Sequence, residues 1–397
     1  MVDDQLRGRP AAALAVTVAA TLLGLMGTDL VLPAIPSLPE QLGGDAAAAQ
    51  LVLASYVAGT CIGLLAFGAL GDRFATRTLF ACSLFLTGAA SLACAFAPSV
   101  GVLIVLRGLQ GAVAAAPAVF AAAIVKALYD EAAAIRAIGA LGSIESLAPA
   151  LAPILGAWLL TIGGWRLSFD LIACGAFALT TIVCFFPVIP QTGRRARGGY
   201  GQLIRDPVFL RYALSQAFVL GGLLVFVLGA PAVLVRALGG SLSDFIVMQV
   251  TGIASFIVAA NFASRLAARF GAESMISFGT LLATAGAAAM LAFALAGGGD
   301  PLMITLLFVP INTGLGLRGP PGFYRAVIAS AGDDARGSAL VILFIMAATA
   351  IGTGLVAPFI ELGLAPLATA GFLLQLSASL CLMALPPLPE TEIAEAA

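Results

Sequence analysis

Apolar runs of about 20 residues, the length that crosses roughly 30 Å of hydrocarbon as a helix, recur along the whole of this chain. They predict twelve membrane-spanning helices, over residues 11–36, 49–70, 78–97, 100–125, 136–162, 166–188, 209–236, 243–263, 273–296, 301–324, 337–362 and 365–387. No run alternates apolar with polar side chains. All are too long and too rich in Ala and Leu for the strands of an outer-membrane barrel. Glycine and proline recur inside them, which membrane helices tolerate and close helix packing favours. The longest polar interruption, IPQTGRRARGGYGQLIRDPV, covers residues 189–208. It predicts an N-terminal six-helix bundle over 1–188, a cytoplasmic linker over 189–208, and a C-terminal bundle over 209–397 with a short cytoplasmic tail. The halves repeat a plan: a basic gap follows the second helix of each (Gly71–Arg77 and Ser264–Gly271), and the fifth carries an Ala-Pro pair (Ala152-Pro153 and Ala357-Pro358). Six plus six with weak internal symmetry is the pattern of a secondary transporter with a midplane site.

Composition agrees with this pattern. At 61% hydrophobic and 10% charged, the chain lies far from a soluble domain, which carries about 25% charged residues. The net charge of −1 hides an uneven distribution. Arg7, Arg9, Arg73, Arg77, Lys126, Arg136, Arg194, Arg195, Arg197, Arg205, Arg211, Arg265, Arg269, Arg325 and Arg336 all fall in gaps on the side of the N-terminus. The opposite gaps hold Arg166 and Arg236 alone. The positive-inside rule therefore places both termini in the cytoplasm, in what is expected to be a bacterial inner membrane. A missed helix would scramble that split downstream.

Several chemistries are absent. There is no histidine, which removes the usual side chain titrating near neutral pH and the commonest metal ligand, so no metal site is expected. The six cysteines lie singly in apolar runs without Cys-x-x-Cys spacing and read as small buried hydrophobes. The first apolar stretch has the wrong flanks for a cleaved signal, since it contains Asp29 and runs into Pro33 and Pro36. No Walker-type Gly-Lys-Ser/Thr segment is present, so a nucleotide is not the expected energy source. An enzyme would call for a His/Asp/Glu or Ser/Lys cluster at one membrane face, and a channel for a repeated polar filter. Neither is visible.

Four charges sit inside the apolar runs: Asp29, Arg107, Glu145 and Arg318. Each costs about 2.5–3.5 kcal/mol on insertion scales and is retained mostly where it is paired or lines a wet path. Helix rise puts Asp29 and Arg107 in the outer half, roughly 5–10 Å beyond the midplane, and Glu145 and Arg318 at a comparable depth in the inner half. The expected pairs are Asp29 with Arg107 inside one bundle, and Glu145 with Arg318 across the two. With no histidine available, Asp29 and Glu145 are the candidate proton carriers, because a carboxylate moved between two environments can load and release a proton near neutral pH. The alternative is that Asp29–Arg107 is a fixed ion pair holding the first and fourth helices together.

Three motifs then narrow the reading. Gly68-Ala-Leu-Gly71-Asp72-Arg73-Phe-Ala-Thr-Arg77 resembles the G-x-L-x-D-R-x-G-R-R/K signature of the major facilitator superfamily. Arg107-Gly-Leu-Gln110-Gly resembles the R-x-x-Q-G element of its drug/proton antiporters. The stretch around Pro149, Pro153 and Gly156, followed by Gly164-Trp-Arg166, resembles the exporter element of its fifth helix. With Leu32-Pro-Ala-Ile-Pro36, the likeness is closest to the Bcr/CflA-like branch with twelve helices; it covers the first half well and the second only in outline. The resemblance implies an all-α integral membrane protein built as two pseudo-symmetric six-helix bundles. It also implies a cavity lined by helices 1, 4, 7 and 10, and a role for Asp72 in bracing one conformation. Ala75 replaces the second family glycine, and the gap holding Arg265 and Arg269 lacks the aspartate, so the expected latch (Gly68, Gly71, Asp72, Arg73, Arg77) is one-sided. Pro149, Pro153 and Gly156 are expected to bend helix 5 and let it lie against the other half.

The resulting expectation is a proton-coupled exporter of small amphiphilic compounds or drugs that alternates access by rocking its bundles. The proton gradient is its energy source and no cofactor is required. The expected substrate-cavity residues are Asp29, Arg107, Gln110, Arg318, Phe323 and Tyr324. The run Gly316-Leu-Arg318-Gly-Pro-Pro-Gly-Phe323-Tyr324-Arg325 supports a second reading, because a guanidinium between glycines on a proline-broken helix suits a carboxylate or phosphate. In that reading the substrate is an anionic or zwitterionic metabolite held by Arg107 or Arg318. Partners are the substrate, protons and the bilayer, with no nucleic acid, and a monomer suffices.

Overall fold

The structure, a computed structural model, describes residues 10–44, 46–186, 188–190 and 199–388. Among the described residues it is helical throughout, as hydrocarbon demands when every backbone group must find its partner within its own segment. Twelve apolar spans follow one another: α1 (Pro10–Asp29), α2 (Ala46–Leu70), α3 (Thr76–Ala95), α4 (Val100–Val113 continued by Ala116–Leu128), α5 (Glu131–Glu145 continued by Ala148–Gly163) and α6 (Arg166–Phe185). Then come α7 (Pro207–Pro231), α8 (Leu242–Phe270), α9 (Ala272–Leu295), α10 (Pro301–Ile328), α11 (Asp334–Val356) and α12 (Leu364–Ala384). Eleven of these spans are long and apolar enough to cross a membrane in one piece. In α5 the break leaves a shorter apolar helix, Leu151–Gly163. The protein is a multi-pass membrane protein, and each expected helix has its counterpart within a few residues. The basic residues Arg7, Arg9, Arg194, Arg195 and Arg197, part of the linker and the end of the tail lie outside the described residues.

Helix starts and breaks follow from side-chain chemistry. Asp206 caps α7 by accepting from Val208 and Phe209 N–H at 2.8 and 3.3 Å, and Asp300 caps α10 through Met303 N–H at 2.8 Å. Ser241 and Asp244 form a reciprocal capping box on α8. The interruption of α4 precedes Pro117, whose missing N–H leaves the Val113 carbonyl without its helical donor. Ser83 of α3 supplies that bond, Oγ to the Val113 oxygen at 2.5 Å. The interruption of α5 at Ser146–Leu147 precedes Pro149 in the same way.

Contacts divide the chain into two units. The first comprises the described residues of Met1–Tyr129, Ile144–Gly199 and Gly332–Ala339; the second, those of Asp130–Ser143, Tyr200–Ala331 and Leu340–Ala397. Their main division falls inside the expected 189–208 linker, while the first turns of α5 and α11 each belong to the unit opposite their own sequence half. Within the first unit α2 crosses α4 so closely that a methyl group on Gly111 would sit 2.1 Å from the Tyr56 carbonyl oxygen. Within the second, α10 meets α9 the same way, with the Gly279 oxygen 2.4 Å from a methyl on Gly314. Small residues allow this approach where lipid supplies no hydrophobic drive between helices. The first unit's outer end is filled by Val31, Leu38, Val52, Leu103, Trp165 and Phe169. The second is filled by Phe226, Phe308, Met248 and Met290 among others, with Phe226 and Phe308 stacked at 5.3 Å.

Candidate functional site

The embedded charges come first. Arg107 and Gln110 lie one turn apart on α4, so Arg-x-x-Gln spacing puts both on one face. Both are wholly buried. Arg107 Nη1 donates to Gln110 Oε1 at 2.7 Å and to the Gly27 carbonyl at 2.8 Å, and its Nε donates to the Val52 carbonyl at 3.3 Å. The guanidinium also lies 4.3 Å from the centroid of the Tyr56 ring. Gln110 in turn donates to Ser91 Oγ at 2.7 Å, and Ser91 donates to the Thr87 carbonyl at 2.7 Å. A polar ladder therefore ties α1, α2, α3 and α4 together through the interior of the first unit.

This geometry corrects one expectation. Among the described residues Asp29 forms no ion pair with Arg107. The physical reason lies in α1, which ends at Asp29 because Pro33 and Pro36 follow, leaving the last-turn carbonyls without helical donors. Arg107 bonds to one of those carbonyls, that of Gly27, rather than to the carboxylate two residues on. Arg107 and Gln110 are both turned into the packed interior of the first unit. Asp29 itself is half-buried at the end of α1.

Glu145 closes the first piece of α5, at the break. It is half-buried, with the Thr21 hydroxyl of α1 in hydrogen-bonding reach. Arg318 is wholly buried on α10 and is held inside the second unit, with Nη1 on the Ser215 carbonyl at 2.9 Å and Nη2 on Ser215 Oγ at 3.0 Å. The described partners of Glu145 and Arg318 lie on α1 and α7, each within its own unit. The described hydrogen bonds of Arg318 therefore join α10 to α7 within the second unit. Tyr324 is buried and Phe323 half-buried, both in the second unit. Gly156 does not bring α5 to the other half. A methyl there would sit 2.2 Å from the Leu30 carbonyl oxygen, so the glycine seats α5 on the chain following α1, within the first unit.

At the α2–α3 turn the signature segment finds partners that local sequence could not name. Asp72 forms a salt bridge with Arg336 of α11's first turn, and Gly71 lets Ala335 approach, 3.0 Å from where a methyl would sit. Gly68 is buried, whereas Arg73 is exposed. Arg77 clamps the C-terminus of α6, Nε on the Val183 carbonyl and Nη2 on that of Cys184, both at 2.9 Å, satisfying last-turn acceptors. Lys126, ending α4, pairs with Asp334 of α11 at 3.1 Å. Arg325, near the end of α10, pairs with Glu131 of α5 at 2.5 Å. The two pairs are reciprocal: each joins the cation ending a fourth helix of one half to the acid opening the fifth of the other. Ion pairs of this kind therefore occur at both fourth-to-fifth helix junctions, Lys126–Asp334 and Arg325–Glu131. Arg265 and Arg269 instead face Phe262 and Phe270 of their own helix. Lys126, Arg325 and Arg336 entered the sequence reading as topology markers only. The acidic pairs Asp130-Glu131 and Asp333-Asp334, each opening a fifth helix, were the signal for their role.

Among the described residues no cluster of His, Cys, Asp or Glu could hold a metal.

Comparison with known proteins agrees with this architecture. The sequence pattern of the Major Facilitator Superfamily matches residues 17–357. A chloramphenicol resistance protein of Pseudomonas aeruginosa is 31% identical over 67% of this chain and 64% of its own length, so the match leaves about a third of that relative uncovered. A bicyclomycin resistance protein homolog of Haemophilus influenzae is 24% identical over 64% of this chain and 66% of its own. Multidrug resistance protein MdtM of Salmonella typhimurium is 26% identical over 58% of each. Among solved structures, a bacterial homologue of the iron transporter ferroportin in an outward-facing state superposes with TM-score 0.73, at 16% identity over 94% of this chain and 98% of that one. FucP, a transporter of the same superfamily in its outward conformation, gives 0.69 at 14% identity over 97% and 98%.

Proposed function

Because the chain belongs to the major facilitator superfamily, a family of transporters and not of enzymes, we propose that it exports small amphiphilic compounds in exchange for protons. The observation that carries this reading is the pair of carboxylates Asp29 and Glu145, on α1 and α5. Among the described residues neither is neutralised by an ion pair, so each is left able to take up and release a proton. A fixed ion pair would have served scaffolding instead. The drug-resistance relatives are named for chemically unlike compounds, which supports a substrate range set by amphiphilic character.

The cycle rocks the two halves of the chain between inward- and outward-open states, in a bacterial inner membrane with both termini cytoplasmic; a monomer suffices. A proton crossing 100 mV and one pH unit supplies about 3.7 kcal/mol, enough to hold roughly a 500-fold substrate gradient at one-for-one exchange. Asp72–Arg336, Lys126–Asp334 and Arg325–Glu131 serve as the cytoplasmic latch. Lys126–Asp334 and Asp72–Arg336 are partly exposed, and exposed pairs are individually weak, about 0.2–1 kcal/mol, which suits contacts that break in every cycle. Asp72→Asn is expected to slow transport about 2–5-fold while leaving substrate-induced thermal stabilisation intact; loss of binding in that variant would remove Asp72 from the latch.

The test of the whole reading is transport in proteoliposomes under an imposed pH gradient. Uphill substrate flux that collapses with the gradient is expected, and flux indifferent to it defeats proton exchange. A second reading, export of an anionic or zwitterionic metabolite, is favoured by one fact: among the described residues the buried Arg318 forms no ion pair, and its hydrogen bonds go to Ser215. Arg318→Ala separates the two. Lipophilic compounds are expected to stabilise that variant and its parent alike, whereas selective loss of stabilisation by acids would transfer the assignment to the second reading.

A further inference from the structure

The first turn of α11 places one guanidinium between two carboxylates. Arg336 Nη2 meets Asp72, while its Nη1 meets Asp333 Oδ2 at 2.7 Å. The two acids differ in how they relate to the arginine. Asp333 lies three residues before it and travels with it in any movement of α11. Asp72 belongs to the α2–α3 turn, far away in the chain, and is lost when that turn and α11 part. Asp333 is almost wholly buried and also caps the helix, accepting from Arg336 N–H at 3.4 Å. Its neighbour Asp334 faces the other way, onto Lys126.

The backbone that delivers Asp333 is unusual. Ala331 adopts φ 52° and Gly332 φ 88°. A residue with a Cβ is uncommon in the left-handed region and persists there when its surroundings impose it. The turn lies directly before Asp333, and it brings the carboxylate back over its own helix instead of leaving it in solvent.

We propose that Asp333 is a positioning residue for the latch, holding Arg336 in a standing partnership so that the Asp72 contact can break and re-form without stranding a guanidinium. The inference rests on the latch reading of Asp72. An arginine released without a partner in a half-buried place would pay the cost of an unsatisfied charge. Asp333 removes that cost, and by competing for the same group it also keeps the Asp72 bond weak. Removing the competitor therefore tightens the latch. Among the described residues this guanidinium pairs with Asp72 and Asp333, and Lys126 pairs with the neighbouring Asp334.

The experiment places a single reporter cysteine, A335C, in a cysteine-free background of the full chain. Its alkylation by a membrane-impermeant maleimide is followed from the cytoplasmic face. Asp333→Asn keeps an oxygen for the helix cap and removes only the charge. It is expected to slow alkylation about 2–5-fold and to lower kcat by a similar factor with KM unchanged, in keeping with coupling between neighbours in one network. Asp333→Glu is expected to restore the parental rate. In an Asp72→Asn background, where alkylation is faster, adding Asp333→Asn should change nothing, an outcome that general damage to the turn would not give. Faster or unchanged alkylation in Asp333→Asn, with Asp72→Asn still accelerating it, overturns the role of Asp333 alone. If Asp72→Asn leaves the rate unchanged, the latch itself is wrong and this inference falls with it.

Discussion

Arg107→Ala is expected to cost the protein its first unit, not a substrate contact. The side chain is wholly buried and satisfies a helix-end carbonyl on α1, a carbonyl on α2 and the amide of Gln110. Removing it strands three acceptors and opens a void under Tyr56 and Phe169, both of which pack on the guanidinium. Hydrogen bonds to charged groups contribute about 1.5–3 kcal/mol each, and leaving a buried neutral acceptor unsatisfied costs about 1–3 kcal/mol. A loss of that size is a large share of the 5–15 kcal/mol that holds an ordinary domain together.

The measurement is thermal unfolding of the purified protein in detergent, with transport measured on whatever folds. Arg107→Lys keeps the charge but replaces the planar fork with a single ammonium, so it is expected to recover part of the stability and leave either Gly27 or Gln110 unserved. Should Arg107→Ala unfold with its parent yet lose substrate binding, the guanidinium reaches the substrate path after all. The packing derived for it would then be wrong.

Which residues span the membrane was readable from the chain, because length and apolarity alone decide it. Which face of each span looks inward was not. A soluble helix announces its buried side by contrast with its polar side. In lipid both sides are apolar, so the wholly buried Gln110 and the exposed Leu109 beside it carry no periodic contrast to read. For Arg107 and Arg318 helix rise therefore gives the depth but not the azimuth, so the partners Gly27, Val52 and Ser215 are not legible in the sequence. The Arg107–Gln110 spacing did predict a shared face, since one turn separates them whatever the helix packs against. The latch illustrates a second limit. The Asp72 segment was recognisable as a motif, yet its partner Arg336 lies in the other sequence half, and no local pattern joins the two. Gly156 failed for a related reason: a glycine declares that a backbone comes close without saying which one.

On the proton-exchange proposal one of the two embedded carboxylates carries the coupling proton, and neutral amides separate them. Asp29→Asn is expected to abolish substrate accumulation driven by a pH gradient while leaving downhill exchange and substrate-induced stabilisation in place, because an amide matches the protonated acid in shape and cannot release a proton. Its position favours it. Asp29 ends α1, where the helix gives way to the proline-bent stretch Leu32–Ser37, and a side chain at a helix end changes surroundings more than one held mid-helix. Glu145 has a competing claim at the break of α5, with Thr21 beside it. Glu145→Gln is therefore measured in parallel. If Asp29→Asn still accumulates substrate uphill and Glu145→Gln does not, the proton travels with α5, and the α5 break becomes the moving part. If each amide alone halts uphill transport, the two acids act in series on one proton path. If both variants pump, the ion-pair-free carboxylates serve structure only and proton exchange is not the driving reaction.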